Sequence, residues 1–320
     1  MKESNSKKVF WTKLPVVVLA ALFCCFLWGS ASPAIKIGYK IFGVGKDDTP
    51  ARILFAGIRF TIAGLMVIGY ESISKHKIIV PRREAWGKVC LLSIFQTSIH
   101  YILFYMGLAH TSGVRGSIIN SASTFFSIFL AVWIFHFEKL SARKALGSVI
   151  GFMGVILCVT GGSWTSMLEG GFQLQGEGAM LLAAFCGAMA SNLIKKVART
   201  EDPVTMSGWQ FLVGGITLTL LGRAMGGHLT LNSAAGIPLI LYMGFISAGA
   251  YTVWSILLKY NPVSTVTVLG FMNPIFGVVL SVIFLHEASE AMSWAGLAAL
   301  ILVSIGIILV NTKKKEKVVC

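Results

Sequence analysis

Acidic side chains are what this chain has least of. It carries 13 Asp and Glu against 27 Lys and Arg, and charged residues make up only 12% of its 320 positions. An ordinary soluble domain has roughly twice that charged fraction. With 55% hydrophobic residues, two soluble domains of this composition would lack a polar surface. The class is therefore a polytopic membrane protein. The few acids are also placed away from the middle of any apolar run: Glu71, Glu138, Glu177 and Glu287 all fall at run ends. A cationic solute held inside a bilayer calls for a carboxylate there, so this absence argues against carriers of cationic drugs and for zwitterionic or neutral metabolites.

Catalytic and metal patterns are missing as well. There is no His-x-x-x-His pair on a helix face, no Gly-x-Ser-x-Gly and no pair of intramembrane carboxylates. The expectation is that the protein is not an enzyme and needs no cofactor or metal. Of six cysteines, Cys24, Cys25, Cys90, Cys158 and Cys186 lie in apolar runs and Cys320 is the last residue. None has ligand spacing, and they read as small packing residues. A net charge of +14 might suggest a nucleic-acid partner, but the basic residues sit in the gaps between apolar runs, where membrane topology accounts for them. Lys7, Lys8 and Lys13 precede the first apolar run, yet Phe23 before Cys24 makes no convincing cleavage site, so the segment reads as a retained helix.

What is present is a succession of long apolar runs. A spanning helix needs about 20 such residues, and that ruler gives ten segments, at 15–36, 51–70, 87–108, 114–135, 143–161, 176–195, 204–222, 236–258, 263–285 and 292–311. If the N-terminus is cytoplasmic, the cytoplasmic gaps hold Lys2, Lys7, Lys8 and Lys13, then Lys75, Lys77, Arg82, Arg83 and Lys88, then Lys139, Arg143 and Lys144, then Lys195, Lys196, Arg199 and Lys259, and finally Lys313, Lys314, Lys315 and Lys317. The other side keeps only Lys36, Lys40, Lys46, Arg52, Arg115 and Arg223. That bias predicts a cell (inner or plasma) membrane protein with both termini cytoplasmic.

The stretch Trp28 to Lys36, Trp-Gly-Ser-Ala-Ser-Pro-Ala-Ile-Lys, does not suit a plain anchor. Pro33 removes a helical hydrogen bond, small residues permit close helix contact, and Ser30 and Ser32 can satisfy freed backbone. A weaker copy, Gly-Ala-Met-Ala-Ser-Asn-Leu-Ile-Lys, ends at Lys195 and puts Asn192 where Pro33 stood. The first-repeat segment is the expected hinge. Further along, Arg59-Phe60 aligns with Gln210-Phe211, Gly64 with Gly215, Tyr101 with Tyr251, Thr124 with Pro274 and His136 with His286. Two five-helix halves must enter the membrane inverted, because five is odd. The expected fold is all-α with ten transmembrane helices in two inverted five-helix repeats. Residues 1–161 form the first repeat, 162–175 a connecting loop, 176–311 the second repeat and 312–320 a basic tail.

These residues carry a family resemblance. Phe26-Leu27-Trp28-Gly29-Ser30 opening the first half, Pro50 before the second segment with Ile58-Arg59-Phe60 inside it, Asn273-Pro274-Ile275-Phe276 in the ninth, His286-Glu287 closing it and Gly296 in the tenth resemble the EamA branch of the drug/metabolite transporter superfamily. The likeness runs from about residue 15 to 311. It implies a transporter with a central cavity lined mainly by the first, third, fourth, sixth, eighth and ninth helices, open alternately to either side, and by analogy an exporter. The chain departs from the family at Thr124, where proline is common, which leaves the bend of the fourth helix open.

Candidate pathway residues follow from polarity at depth. Arg59 lies about nine residues into the second segment, where a charge costs about 2.5–3.5 kcal/mol on insertion scales. It is either a contact for a substrate carboxylate or phosphate, or a structural arginine that pairs with carbonyls or snorkels outward. Lys36 and Lys195 are either gate charges at the two pathway ends or snorkelling residues. In the third segment Ser93, Gln96, Thr97, His100 and Tyr101 form one polar stripe. His100 is either a proton-coupling group or a hydrogen-bonded packing residue. Asn120, Ser121, Ser123 and Thr124 in the fourth segment, Ser191 and Asn192 in the sixth and Asn273 with Pro274 in the ninth offer hydroxyls, amides and loosened backbone. Trp28, Tyr105, Trp209, Tyr251 and Trp254 are wall or packing aromatics.

The expected function is secondary transport of a small metabolite such as an amino acid or a related solute. A multidrug efflux carrier is the alternative, and a membrane-embedded enzyme or a non-transporting regulatory subunit are rivals of another class. Expected partners are the small-molecule substrate and the lipid bilayer, with protons as a candidate coupling ion, a homodimer left open, and no nucleic acid.

Overall fold

The computed structural model describes residues 9–137, 139–161, 172–261, 266 and 268–311. Helices run from Leu14–Ile41 (α1), Thr49–Ser74 (α2), Arg83–His110 (α3), Gly113–Ile134 (α4), Ala142–Thr160 (α5), Leu174–Val197 (α6) and Pro203–Ala224 (α7). They continue with Gly236–Tyr260 (α8), Leu269–Leu285 (α9) and Trp294–Asn311 (α10). All but α9 have the length and hydropathy of a membrane span, and there is no strand among the described residues. At about 1.5 Å per residue, the 17 residues of α9 cover about 25 Å. Residues 263–265 and 267, expected at the start of that segment, lie outside the described residues, as do Glu138, most of the 162–175 connection and the 312–320 tail.

Local chemistry sets the helix ends. Asp48 accepts from Ala51 N at 3.0 Å, with Pro50 in the first turn of α2. Asp202 and Pro203 repeat that start for α7, and Ser112 and Ser141 cap α4 and α5 through their hydroxyls. His136 and His286, aligned in the sequence, both adopt left-handed backbone, at φ 50 and φ 57, just beyond the ends of α4 and α9.

Interruptions occur where the sequence weakens the backbone ladder. α1 steps at Ser30 between Leu14–Gly29 and Ala31–Ile41. Pro33 has no N–H for the carbonyl of Gly29, four residues back. The Ser30 hydroxyl donates to Leu27 O at 2.8 Å and accepts from the Tyr242 hydroxyl at 2.7 Å. The matching α6 segment runs unbroken over Ala179–Val197, so of this repeat pair only the copy with Pro33 is interrupted here. α4 breaks at Ser121 without a proline, and Thr124 N reaches back three residues to Ser121 O at 3.1 Å. Wide π-type turns occupy Ser93–Ile99 in α3, Leu130–Ile134 in α4 and Leu174–Gly178 in α6.

The inverted repeat is written into the packing. α2 lies against its own repeat mate α7, and α5 against α10. A Cβ on Gly64 would meet Leu212 N at 2.5 Å, and one on Gly215 would collide with Thr61 N. Shifting Gly64–Leu212 by 151 positions in opposite senses yields Gly215–Thr61, the same contact from the other side. Gly154–Val303 and Gly306–Gly151 are related in the same way by 152. Two antiparallel helices exchanging roles across one crossing is what a two-fold axis in the membrane plane requires.

Candidate functional site

The α2–α7 crossing places four aromatic rings at the centre of the molecule. Phe60 and Phe211 stack at 5.5 Å, only 20° from parallel. Tyr101 of α3 packs on Phe60 at 4.0 Å, and Tyr251 of α8 meets Phe211 edge-on at 5.1 Å. The sequence alignment pairs these residues in the same way, so the quartet sits astride the pseudo-two-fold. Trp28 of α1 extends it, with its ring 5.8 Å from Tyr251 and 5.1 Å from Trp254.

Polar groups flank the rings in matched positions. Arg59, 1% exposed, donates from Nε to Met243 O at 3.0 Å, from Nη1 to the Tyr105 hydroxyl at 3.0 Å and from Nη2 to Ser247 Oγ at 3.3 Å. Its repeat mate Gln210 accepts from Thr97 Oγ1 at 2.6 Å. Thr97 and Ser247 are themselves mates, so the two sockets are one design with a cation on one side and an amide on the other. No carboxylate contacts Arg59 among the described residues. Carbonyl and hydroxyl dipoles and the faces of Phe60 and Tyr101, at 4.8 and 5.8 Å, balance its charge. Carbonyl pairing, one of the two sequence readings, is thus present, and it uses three of the five guanidinium donors. On the amide side, Gln96 Oε1 and Gln210 Nε2 are buried without a partner among the described residues.

Other expected residues are placed differently. The Nδ1 of His100 is 2.6 Å from Ala183 O; a carbonyl only accepts, so this nitrogen carries the hydrogen and ties α3 to α6. Ser32 is buried and accepts from Ser117 Oγ at 3.5 Å. Asn192 clamps α6 to α4 by donating to Ser127 O and Oγ at 3.1 and 3.0 Å, whereas its neighbour Ser191 is exposed and bonds back to Gly187 O at 2.9 Å. Asn120, Ser123, Thr124 and Asn273 are half-buried around the α4 and α9 irregularities, and Asn120 Oδ1 has no partner among the described residues. Trp209 belongs to packing away from the quartet, with its Nε1 donating to Ile79 O at 2.9 Å and its ring against Trp86. Lys195 is exposed, with its ammonium 5.4 Å from the Phe137 ring centre.

Ion pairs cross between the halves at both ends of the bundle. At the end where α1 begins and α10 stops, Glu201 receives Arg82 Nη2 at 3.0 Å and Lys88 Nζ at 3.1 Å, and Lys75 bridges Glu71 and Asp202. Hydrogen bonding from Lys88, then from Arg82, holds the Glu201 carboxyl below its ordinary value. At the opposite end, Lys36 Nζ lies 3.4 Å from Glu287 Oε1, and Arg115 pairs with Glu290 at 2.5 Å and Glu177 at 3.5 Å. These last residues surround a cavity of about 380 Å³ together with His110. Sequence reasoning noted Lys36 there but missed the acids that pair at this end, Glu287 with Lys36 and Glu290 and Glu177 with Arg115, since all three sit at helix ends where charge is unremarkable. No group of His, Cys, Asp and Glu suited to a metal occurs among the described residues.

Comparison with known proteins agrees with this architecture. Residues 15–160 and 174–312 each match the EamA-like transporter family. The chain is 27% identical to the uncharacterized transporter sll0355 of Synechocystis, over 92% of this chain and 89% of that protein. It is equally 27% identical to the uncharacterized transporter YvbV of Bacillus subtilis, over 93% and 92%. A chloroplastic WAT1-related protein of Arabidopsis thaliana is 26% identical over 88% of this chain and 66% of its own length. A crystal structure superposes with a TM-score of 0.61 at 17% identity, covering 93% of this chain and 98% of that one, and so shares the fold. With both halves matched and the inverted repeat visible in the contacts, the chain belongs to the EamA-like transporter family.

Proposed function

We propose that this membrane transporter is a secondary carrier that moves a small zwitterionic or neutral metabolite, an amino acid or a relative, outward across the plasma membrane, with both termini cytoplasmic. The observation that carries the reading is the pair of matched sockets around the Phe60–Phe211 stack, set between two inter-repeat ion-pair clusters. In alternating access the clusters open in turn while the central layer holds the solute. Arg59 brings a fixed cation to that layer and no carboxylate touches it among the described residues, which favours solutes bearing an acceptor over cationic drugs. The outward direction rests on analogy with the family.

Counterflow in liposomes tests the reading. Purified protein loaded with unlabelled amino acids is expected to accumulate labelled amino acid from outside without ATP. Absence of exchange across a broad metabolite panel sinks the carrier.

A further inference from the structure

The start of α4 holds a carboxylate. Glu287, from the loop after α9, accepts from Gly113 N at 3.0 Å through Oε1 and from Val114 N at 2.9 Å through Oε2, and Lys36 Nζ approaches Oε1 at 3.4 Å. Two backbone donors at a helix N-terminus and one ammonium form a bidentate carboxylate cradle. A second, separate feature lies against it. Ser281 Oγ is wholly buried and has no partner among the described residues, and it flanks the same Gly113, 2.6 Å from where a Cβ would sit, with Glu287 Oε2 at 3.2 Å from that point. The cradle therefore has an idle hydroxyl beside the occupied donors. It also opens on the cavity of about 380 Å³, which falls in the size range of small-molecule sites.

We propose that this cradle is an exchangeable binding site for small carboxylates, and that Glu287 is its tethered occupant. A solute carboxylate displaces the Glu287 side chain from Gly113 and Val114 N–H and from Lys36, and, free of the Glu287 backbone tether, shifts toward Ser281 to take its hydroxyl as a donor that Glu287 does not use. The displaced Glu287, with Glu290 nearby, supplies acceptors for a solute ammonium. Because Lys36 and α4 belong to the first repeat and Glu287 to the second, the exchange undoes a contact that ties the halves at this end. Binding at the cradle and release of the tie are then one event. This deepens the carrier reading and rests on it for the solute class.

The test uses the full-length protein in lipid nanodiscs and follows thermal unfolding against propionate, propionamide and sodium chloride. Binding to the folded state raises the midpoint. In Glu287→Ala the tethered competitor is gone, so propionate is expected to act at a concentration about tenfold lower than in wild type, a chemical rescue that mass action predicts for a vacated site. Propionamide and chloride should not reproduce it, and adding Lys36→Gln should remove the gain. Equal rescue by propionamide or by chloride, or the same propionate response in wild type and Glu287→Ala, overturns the proposal. If Glu287→Ala does not fold, Glu287→Gln is read in the same way, with a smaller gain of the same sign. Wild-type counterflow separates the two readings: amino-acid exchange with no Glu287-dependent rescue leaves the carrier standing and removes the cradle.

Discussion

Arg59 illustrates how much one side chain depends on its neighbours. Its guanidinium holds Met243 O, Tyr105 and Ser247 in place, and each group left unpaired inside the bilayer costs about 1–3 kcal/mol. Arg59→Gln is therefore expected to lower the unfolding midpoint and to abolish counterflow. Removal of the mate's bond by Gln210→Ala leaves one neutral group, the buried Thr97 hydroxyl, unpaired, for about 1–3 kcal/mol against three such groups at Arg59. Equal destabilisation by the two would contradict the charge asymmetry of the sockets. His100 gives a cleaner contrast. The amide of His100→Gln can still donate to Ala183 O, whereas His100→Ala cannot, so Ala alone should lose about 1 kcal/mol in thermal unfolding. If His100 also couples protons, the Gln variant keeps its stability but loses the pH dependence of transport.

At the scale of the helix, α2 and α7 approach because small residues face the crossing. Gly64→Ala drives a Cβ into the Leu212 backbone, while Gly69, in the same helix, has nothing within 4 Å of an added Cβ. Gly64→Ala should destabilise. Gly69→Ala should stabilise by up to about 1 kcal/mol through helix propensity. Thermal unfolding in detergent reads both, and a matching loss at the two positions would show that the crossing is not close-packed. The α1 step at Ser30 and the α4 break at Ser121 arise by different routes, one from a proline three residues on and one without any proline. A motif search for proline alone therefore finds the first and misses the second.

Across the whole molecule, ion pairs join the halves at both ends, and the proposed alternating access would break them in turn. Glu201 is held below the ordinary carboxylate value of 4.5 by Lys88 and then Arg82. A lowered folded value means that its stabilisation is complete above 4.5 and is lost as pH falls through the lowered value. Wild type should show this acid-linked loss in unfolding midpoint against pH. Glu201→Gln should lack it and be less stable at neutral pH. Identical pH profiles for the two proteins would show that the Glu201 ion pairs do not stabilise the fold.

Much of this architecture was legible in the residues themselves. Run length locates the spans, because a bilayer of fixed thickness sets how many apolar residues a helix needs. The alignment of Arg59-Phe60 with Gln210-Phe211, and of Tyr101 with Tyr251, anticipates the central quartet because repeat mates occupy equivalent places about the axis. Neighbours in sequence were less informative. Ser191 and Asn192 read alike as pathway groups, yet one is exposed and the other clamps α6 to Ser127. A turn of about 100° per residue sends adjacent side chains to different surroundings. Glu287 read only as the close of the ninth helix, since its partners Lys36, Gly113 and Val114 are far away in the chain. Hydrophobic patterning and repeat spacing, both readable along the chain without knowing any contact, determined the class, the ten helices and their inversion. The carboxylate cradle, the balance of charge around Arg59 and the ties at each end were decided by tertiary structure, because hydrogen bonds and ion pairs act over a few ångströms of space, and only folding brings those groups within reach.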